Sequence, residues 1–299
     1  MQIPYEFPEG LPDSDGTLEP GVLSCQGCGA AIAMKLALKG VGKRTIVVFP
    51  ACCWSIIAGV WPHTALQLPI LHVPFETGAV AASGVRAALD VRGEADVLVM
   101  AWAGDGGTFD IGLQALSGAA ERNEDILYVC YDNEAYMNTG IQRSSATPSG
   151  AWTTTTPEGA VKPEPKKDIE RILLAHDIPY LATASIAYPD DLVGKFQKAR
   201  SIRGTRFIHL LSPCPPGWRY DPSQTVRMAR MATRCCVFPL YEVHQGEYRL
   251  SVIPDPIRPI SDYLQSQGRF KPVGADMADA LQNQIDQRWH WLQEKTKTC

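Results

Sequence analysis

Uninterrupted apolar runs punctuate this chain, and several stop at a glycine, an aspartate or a cysteine. Residues 97–103 (VLVMAWA) lead into Gly104-Asp105-Gly106-Gly107-Thr108, and residues 126–131 (ILYVCY) lead into Asp132-Asn133. Such runs, apolar without alternation, predict strands buried on both faces. Residues 110–121 between them have the length and composition of one crossover helix, so Asp105 and Asn133 are expected at the same sheet edge. Residues 45–49, 71–75, 180–186 and 205–211 read as further strands, and residues 30–38, 77–90, 168–176 and 189–201 as helices. Their alternation predicts an α/β fold, a doubly wound and mostly parallel sheet with helices on both faces. Residues 238–242 and 248–252 fit a hairpin, and residues 275–294 a helix whose Trp289, His290 and Trp291 suit packing on a partner. The expected organisation is an extended arm over residues 1–24, an α/β domain over 25–236, and a C-terminal hairpin and helical extension over 237–299 that packs on partner subunits.

Composition narrows the function classes. At 299 residues, 45% hydrophobic and 20% charged, the chain is an ordinary globular protein. A net charge of −4 without a basic block gives no support to nucleic-acid binding. No apolar stretch approaches the roughly 18 residues of a membrane span. The acidic, proline-broken start lacks a secretory layout, so a cytoplasmic location is expected. Nine cysteines stand out against that background, and without an export signal metal or cluster ligation explains them better than disulfides.

Open α/β sheets bind ligands beyond the carboxyl ends of their strands. Two oxygen ligands there, Asp105 and Asn133, lie 28 positions apart beside glycines that admit a ligand's approach. They suit a magnesium ion that keeps phosphate oxygens in its shell. Cys25-Gln26-Gly27-Cys28 precedes a helix start, where terminal amides favour negative sulfur, and Cys52, Cys53 and Cys214 fall at other strand ends. Four thiolates on one rim suit tetrahedral zinc or a [4Fe-4S] cluster. Spacing alone does not separate the two, though two ligands that arrive singly and far apart fit a cluster slightly better. Cys130, Cys235, Cys236 and Cys299 read as scattered core cysteines. The polar stretch over residues 140–157, directly after a ligand-bearing strand end, has the length of a functional loop.

GDG followed by a spaced asparagine resembles the thiamine diphosphate motif, and longer segments carry a closer resemblance. CQGCG, GDGGTFDIGLQALSGAAERNEDILYVCYDNEAYMNTGIQRSSATPSGAWTTTTP, SPCPPGWRYDP and FPLYEV are similar to the β subunit of pyruvate:ferredoxin oxidoreductase (pyruvate synthase) and its 2-oxoacid:ferredoxin oxidoreductase family. The likeness spans about residues 20–250. It implies a sheet of the diphosphate-domain type that binds thiamine diphosphate, with Mg2+ on Asp105, Asn133 and the main-chain carbonyl of Ala135. It also implies one [4Fe-4S] cluster on Cys25, Cys28, Cys53 and Cys214. Cys53 is implied over Cys52 because it follows Cys28 by 25 residues, the family interval. Gly104, Gly106, Gly107, Thr108 and Thr139 are implied as cofactor contacts. Asn138 matches the asparagine that reaches the reacting end of the thiamine, a catalytic position.

The implied activity is oxidative decarboxylation of a 2-oxoacid, pyruvate by default. Electrons pass through the cluster to ferredoxin, and coenzyme A usually takes the acyl group. The implied partners are α-type and γ-type subunits and a ferredoxin or ferredoxin-like subunit. Another domain or subunit in this family supplies the glutamate that activates the aminopyrimidine, so the chain alone is expected to be inactive. Ala30, Cys52-Cys53-Trp54 and Glu76-Thr77 depart from the commoner family residues near the cofactor. Oxalate or another 2-oxoacid is therefore an alternative substrate. A non-redox thiamine enzyme with a zinc site and an electron-transfer subunit without thiamine are the remaining alternatives.

Overall fold

The computed structural model describes residues 16–60, 62–156 and 161–297. Its strands are β1 (Thr45–Pro50), β2 (Ile70–Val73), β3 (Leu98–Gly104), β4 (Leu127–Asp132), β5 (Tyr180–Ser185), β6 (Arg206–Leu211), β7 (Leu240–His244) and β8 (Glu247–Val252). They form one sheet in the order β2-β1-β3-β4-β6-β5-β7-β8, parallel through β5, with β7 and β8 antiparallel. The helices before β4 are α1 (Gly29–Val41), α2 (Trp54–Ile57), α3 (Gly78–Val91) and α4 (Leu113–Glu121). Those after it are α5 (Ile169–Leu174), α6 (Pro189–Ser201), α7 (Pro215–Trp218), α8 (Thr225–Arg234), α9 (Ile260–Gln265) and α10 (Ala275–Lys297). None among the described residues is long and apolar enough to cross a membrane.

The unalternating apolar runs are explained by a core on each face. From β3, Leu98, Met100 and Trp102 enter the core under α1, α2 and α6, while Val99, Ala101 and Ala103 enter the core under α3, α4, α5 and α10. Side chains one residue apart thus serve opposite layers, as the two-residue period of a strand requires.

Two departures from the sequence reading have physical causes. The crossover after β3 starts as a π-helical segment, Gly106–Ile111, before α4 takes over. Its wider turn closes with Gly112 N–H on the Gly107 carbonyl at 2.9 Å, a geometry often found at functional sites. The C-terminal segment continues the main sheet through β7 and β8, and α10 covers the added face. Trp289 and Leu292 are buried in that core, and Trp291 meets Tyr248 edge-on at 5.8 Å. Of the three aromatic side chains expected to suit a partner, only His290 is exposed. Most of the expected N-terminal arm lies outside the described residues. Its end is tied down by Glu19 N–H to the Ala65 carbonyl and Leu23 N–H to the Ile57 carbonyl.

Candidate active site and its two cavities

Parallel strands deliver their carboxyl ends to one edge, and the register keeps those ends level. Gly104 of β3 lies beside Tyr131 of β4, and Asp132 of β4 beside Leu211 of β6. From β1 the chain leaves towards β2 on one side, and from β3 towards β4 on the other. The crevice between β1 and β3 is therefore a topological switch point, the usual ligand site of an open α/β sheet.

A cavity of about 300 Å3 opens there, walled by Cys52, Cys53, Phe75, Tyr131, the Gly104–Gly107 turn and residues 133 and 135–139. Asp105 is 1% exposed, and Ser144 Oγ donates to its Oδ2 at 2.6 Å. Ser144 comes from the polar stretch after β4, which accounts for one role of that loop. Gly106 has no room for a side chain, because a Cβ there would run into the Tyr136 ring. Tyr136 OH in turn donates to Asp110 Oδ2 at 2.8 Å.

Three oxygens converge on this cavity. With its amide oxygen turned inward, Asn133 Oδ1 lies 3.0 Å from Asp105 Oδ1 and 2.9 Å from the Ala135 carbonyl, a contact between acceptors that is unfavourable without a cation. Turned the other way, the amide nitrogen donates to both. Burial, and then the charge of Asp132, push the Asp105 carboxyl well above its ordinary pKa. A cation at the convergence would reverse that shift.

Gly106, Gly107, Asn138 and Thr139 also line the cavity, as does Gly104. Thr108, expected as a cofactor contact, is not part of this wall. The π-helical turn carries its hydroxyl back to the Gly104 carbonyl at 2.8 Å, and its side chain is fully buried.

A second cavity of about 270 Å3 is lined by Cys25, Cys28, Cys53 and Cys214, with Leu23, Ile56 and Pro215 among its apolar neighbours. Cys52 faces only the first cavity. Three of the four cysteines immediately precede a helix, Cys28 before α1, Cys53 before α2 and Cys214 before α7. Gly27 makes the Cys25–Cys28 turn possible: its φ is +66°, and a Cβ there would strike the Pro222 carbonyl. Thr225 Oγ1 holds the Gly27 carbonyl at 2.6 Å, and Tyr131 OH accepts from Cys53 N–H at 2.9 Å.

Burial raises the Cys28 thiol against the pull of the Ala31 and Ala30 amides. It pushes Cys53 and Cys214 up to about 12, with the neighbouring sulfurs adding to the rise. These thiols feel one another across the cavity, yet among the described residues no three His, Cys, Asp or Glu side chains close on a point as one metal ion demands. Cys130, Cys235 and Cys236 are buried elsewhere, and Cys299 lies outside the described residues.

The two cavities share a wall made of Cys53, Asn133, Met137 and Asn138. Sequence reading did not find this partition, nor the buried ion chain behind it. Arg288, Glu170, His209, Asp132, Lys166, Glu134 and Arg269 pair in succession from α10 to the turn after α9. One local signal existed: His209 interrupts the apolar run of β6.

Comparison with known proteins adds to this geometry. Residues 55–210 match the family of the thiamine pyrophosphate enzyme, C-terminal TPP binding domain. The chain is 48% identical to ketoisovalerate oxidoreductase subunit VorB of Pyrococcus abyssi over 92% of this chain and 91% of the relative. It is 48% identical to pyruvate synthase subunit PorB of Methanothermobacter marburgensis over 90% of this chain and 94% of the relative. Among solved structures, a chain of the 2-oxoglutarate:ferredoxin oxidoreductase of Magnetococcus marinus shares the fold. Its TM-score is 0.59 at 22% identity, over 74% of this chain and 81% of that one.

Proposed function

This chain belongs to the β subunits of the thiamine-diphosphate-dependent 2-oxoacid:ferredoxin oxidoreductases, and on that premise we propose that its two cavities hold the diphosphate end of the cofactor and an iron–sulfur cluster. The observation that carries the reading is the convergence of the Asp105 carboxylate, the Asn133 side-chain amide and the Ala135 carbonyl, whose polar atoms lie 3.0 and 2.9 Å apart. An octahedral magnesium with oxygens at about 2.0–2.1 Å sets neighbouring oxygens about 2.9 Å apart. The donor set therefore fits Mg2+, which Asp105, Asn133 and the Ala135 carbonyl would hold and which would offset the negative charge of a diphosphate. The four thiols line one cavity, and ligands that arrive singly and far apart in sequence favour a [4Fe-4S] cluster over zinc.

When bound, thiamine diphosphate supplies the chemistry that releases carbon dioxide from a 2-oxoacid, and the cluster takes up the electrons singly. The chain's own residues orient and insulate. Ser144 and the Gly106–Tyr136 contact hold Asp105 and its turn in place. Phe75 and Tyr136, whose ring centroids are 5.8 Å apart, wall the cavity with carbon and exclude water. Asn138, on the shared wall, would hydrogen-bond the reacting end of the bound cofactor or substrate. With both groups bound, Cys53 and Asn138 would lie in the partition between them.

Ferredoxin or a ferredoxin-like subunit is the acceptor, coenzyme A takes the acyl group, and α-type and γ-type chains complete the complex. Relatives named for pyruvate and for ketoisovalerate are equally identical, which supports a small aliphatic 2-oxoacid with pyruvate as the default. The test is the purified complex offered pyruvate, ketoisovalerate, 2-oxoglutarate and oxalate, with and without coenzyme A, alongside iron and acid-labile sulfide analysis. Reduction of a low-potential dye by one of the aliphatic acids, with iron and sulfide in equal amounts, is expected. No dye reduction with any of them, or a preparation holding zinc in place of iron, would overturn the reading.

A further inference from the structure

Glu134 sits between the Asn133 amide and the Ala135 carbonyl, and its φ is +69° although it is not glycine. L-residues avoid that conformation, so the surroundings must hold it. Asp132 Oδ1 accepts its N–H at 2.8 Å, and Thr147 Oγ1 donates to its carbonyl at 2.7 Å. Its carboxylate, 3% exposed, takes Lys166 Nζ at 2.9 Å on one oxygen and Arg269 Nη2 at 2.6 Å on the other.

Arg269 does more than pair with Glu134. Its guanidinium stacks over the Trp218 ring at 3.9 Å, and the Trp218 indole N–H donates to the main-chain carbonyl of Asn133 at 2.8 Å. One buried cation therefore bears on the turn twice, through the carboxylate after Asn133 and through the indole that holds Asn133 itself. The arginine is anchored in turn by Gln267 Oε1 at 2.9 Å and Tyr263 OH at 3.2 Å. A buried ion pair is weak evidence for stability, since desolvation offsets its attraction. A pair that grips a left-handed residue between two ligand oxygens has a geometric use instead.

We propose that Arg269 is a positioning residue for the cofactor turn, clamping Glu134 and Trp218 so that Asn133 and Ala135 present their oxygens at magnesium spacing. This rests on reading Asp105, Asn133 and Ala135 as the magnesium ligands.

The test uses the assembled complex, stripped of Mg2+ and thiamine diphosphate and titrated calorimetrically with thiamine diphosphate at several Mg2+ concentrations. Arg269→Met is expected to weaken Mg2+-dependent binding by about 10–100-fold, the loss usual when a group supporting a metal ligand is removed. Arg269→Lys, which keeps the charge but not the flat stack, is expected to lose less. Lys195→Met is the comparison. It removes another buried cation, bonded to Thr183, Asp191 and Ser251, and should lower the melting temperature without moving the affinity.

Wild-type affinity in Arg269→Met overturns the proposal, as does wild-type affinity in Arg269→Lys if the methionine variant does not assemble. An equal affinity loss in Lys195→Met overturns it too, since general loosening would then explain the effect. Asp105→Asn separates this clamp from the reading beneath it. If that variant also binds normally, the magnesium assignment itself is wrong. If it loses binding while Arg269→Met does not, only the clamp is wrong.

Discussion

Cys52 and Cys53 are neighbours in sequence and nearly identical in chemistry, yet Cys53 lines both cavities and Cys52 only the first. Cys53→Ser is therefore expected to lower iron and acid-labile sulfide per β chain sharply. Cys52→Ser should leave both intact and disturb only thiamine diphosphate binding, so metal analysis of the two purified variants is the check. His209 poses a different single-residue question. Burial pushes its pKa down, but Glu170 at 2.9 Å from Nδ1 and Asp132 at 2.7 Å from Nε2 outweigh burial and hold it above its ordinary 6.5. A raised folded value means that its contribution to stability is complete below the unfolded pKa and fades as pH rises through the folded one. His209→Gln should cost about 1–3 kcal/mol at about pH 6, the penalty for leaving a buried acceptor unpaired. The gap between the two melting curves should narrow as pH rises through the folded pKa, and a gap that widens with pH instead would overturn the raised value.

Among elements, α10 is the one whose role changed most between sequence and structure. Its tryptophans look like partner-facing residues in one dimension, but β7 and β8 extend the sheet and leave a face that needs a cover. Trp289 and Leu292 fill that cover, and Arg288 reaches Glu170 at 3.2 Å behind the cofactor turn. Each large apolar side chain buried in this way contributes about 1.5–3 kcal/mol. A chain ending at Gly274 is accordingly expected not to accumulate in soluble complex. Recovery of that truncated chain with normal yield and melting temperature would show that α10 is an accessory. The same logic explains why element types were readable: β-branched and apolar runs, proline at the start of α6 and glycine before α4 are local signals. The close packing of Tyr136 on Gly106 was not readable, because that ring comes from thirty residues further along the chain.

At the scale of the molecule, both cavities open on one sheet edge, as parallel strands dictate. On the proposed reading the glutamate that activates the aminopyrimidine comes from a partner subunit, so the isolated chain should bind a cluster yet show no 2-oxoacid-dependent dye reduction. Adding back the partner subunits should restore it. Turnover by the chain alone, measured in the same dye assay, would place the missing glutamate within these residues.

Much about this protein is written in short-range order. Apolar runs ending in GDGG and DN place Asp105 and Asn133, the proposed oxygen ligands, at the ends of adjacent strands, because a strand's burial pattern and its terminating residues are properties of a few consecutive positions. The Cys25–Cys28 turn at a helix start is legible for the same reason. Only the tertiary structure decided that Cys53 lines both cavities and Cys52 one, that Thr108 turns away from the cavity, and that Arg269 grips Glu134 across a separation of 135 residues. Those choices depend on which side chains the folded sheet brings together, and a partner so distant along the chain leaves no mark on the local pattern of polar and apolar residues.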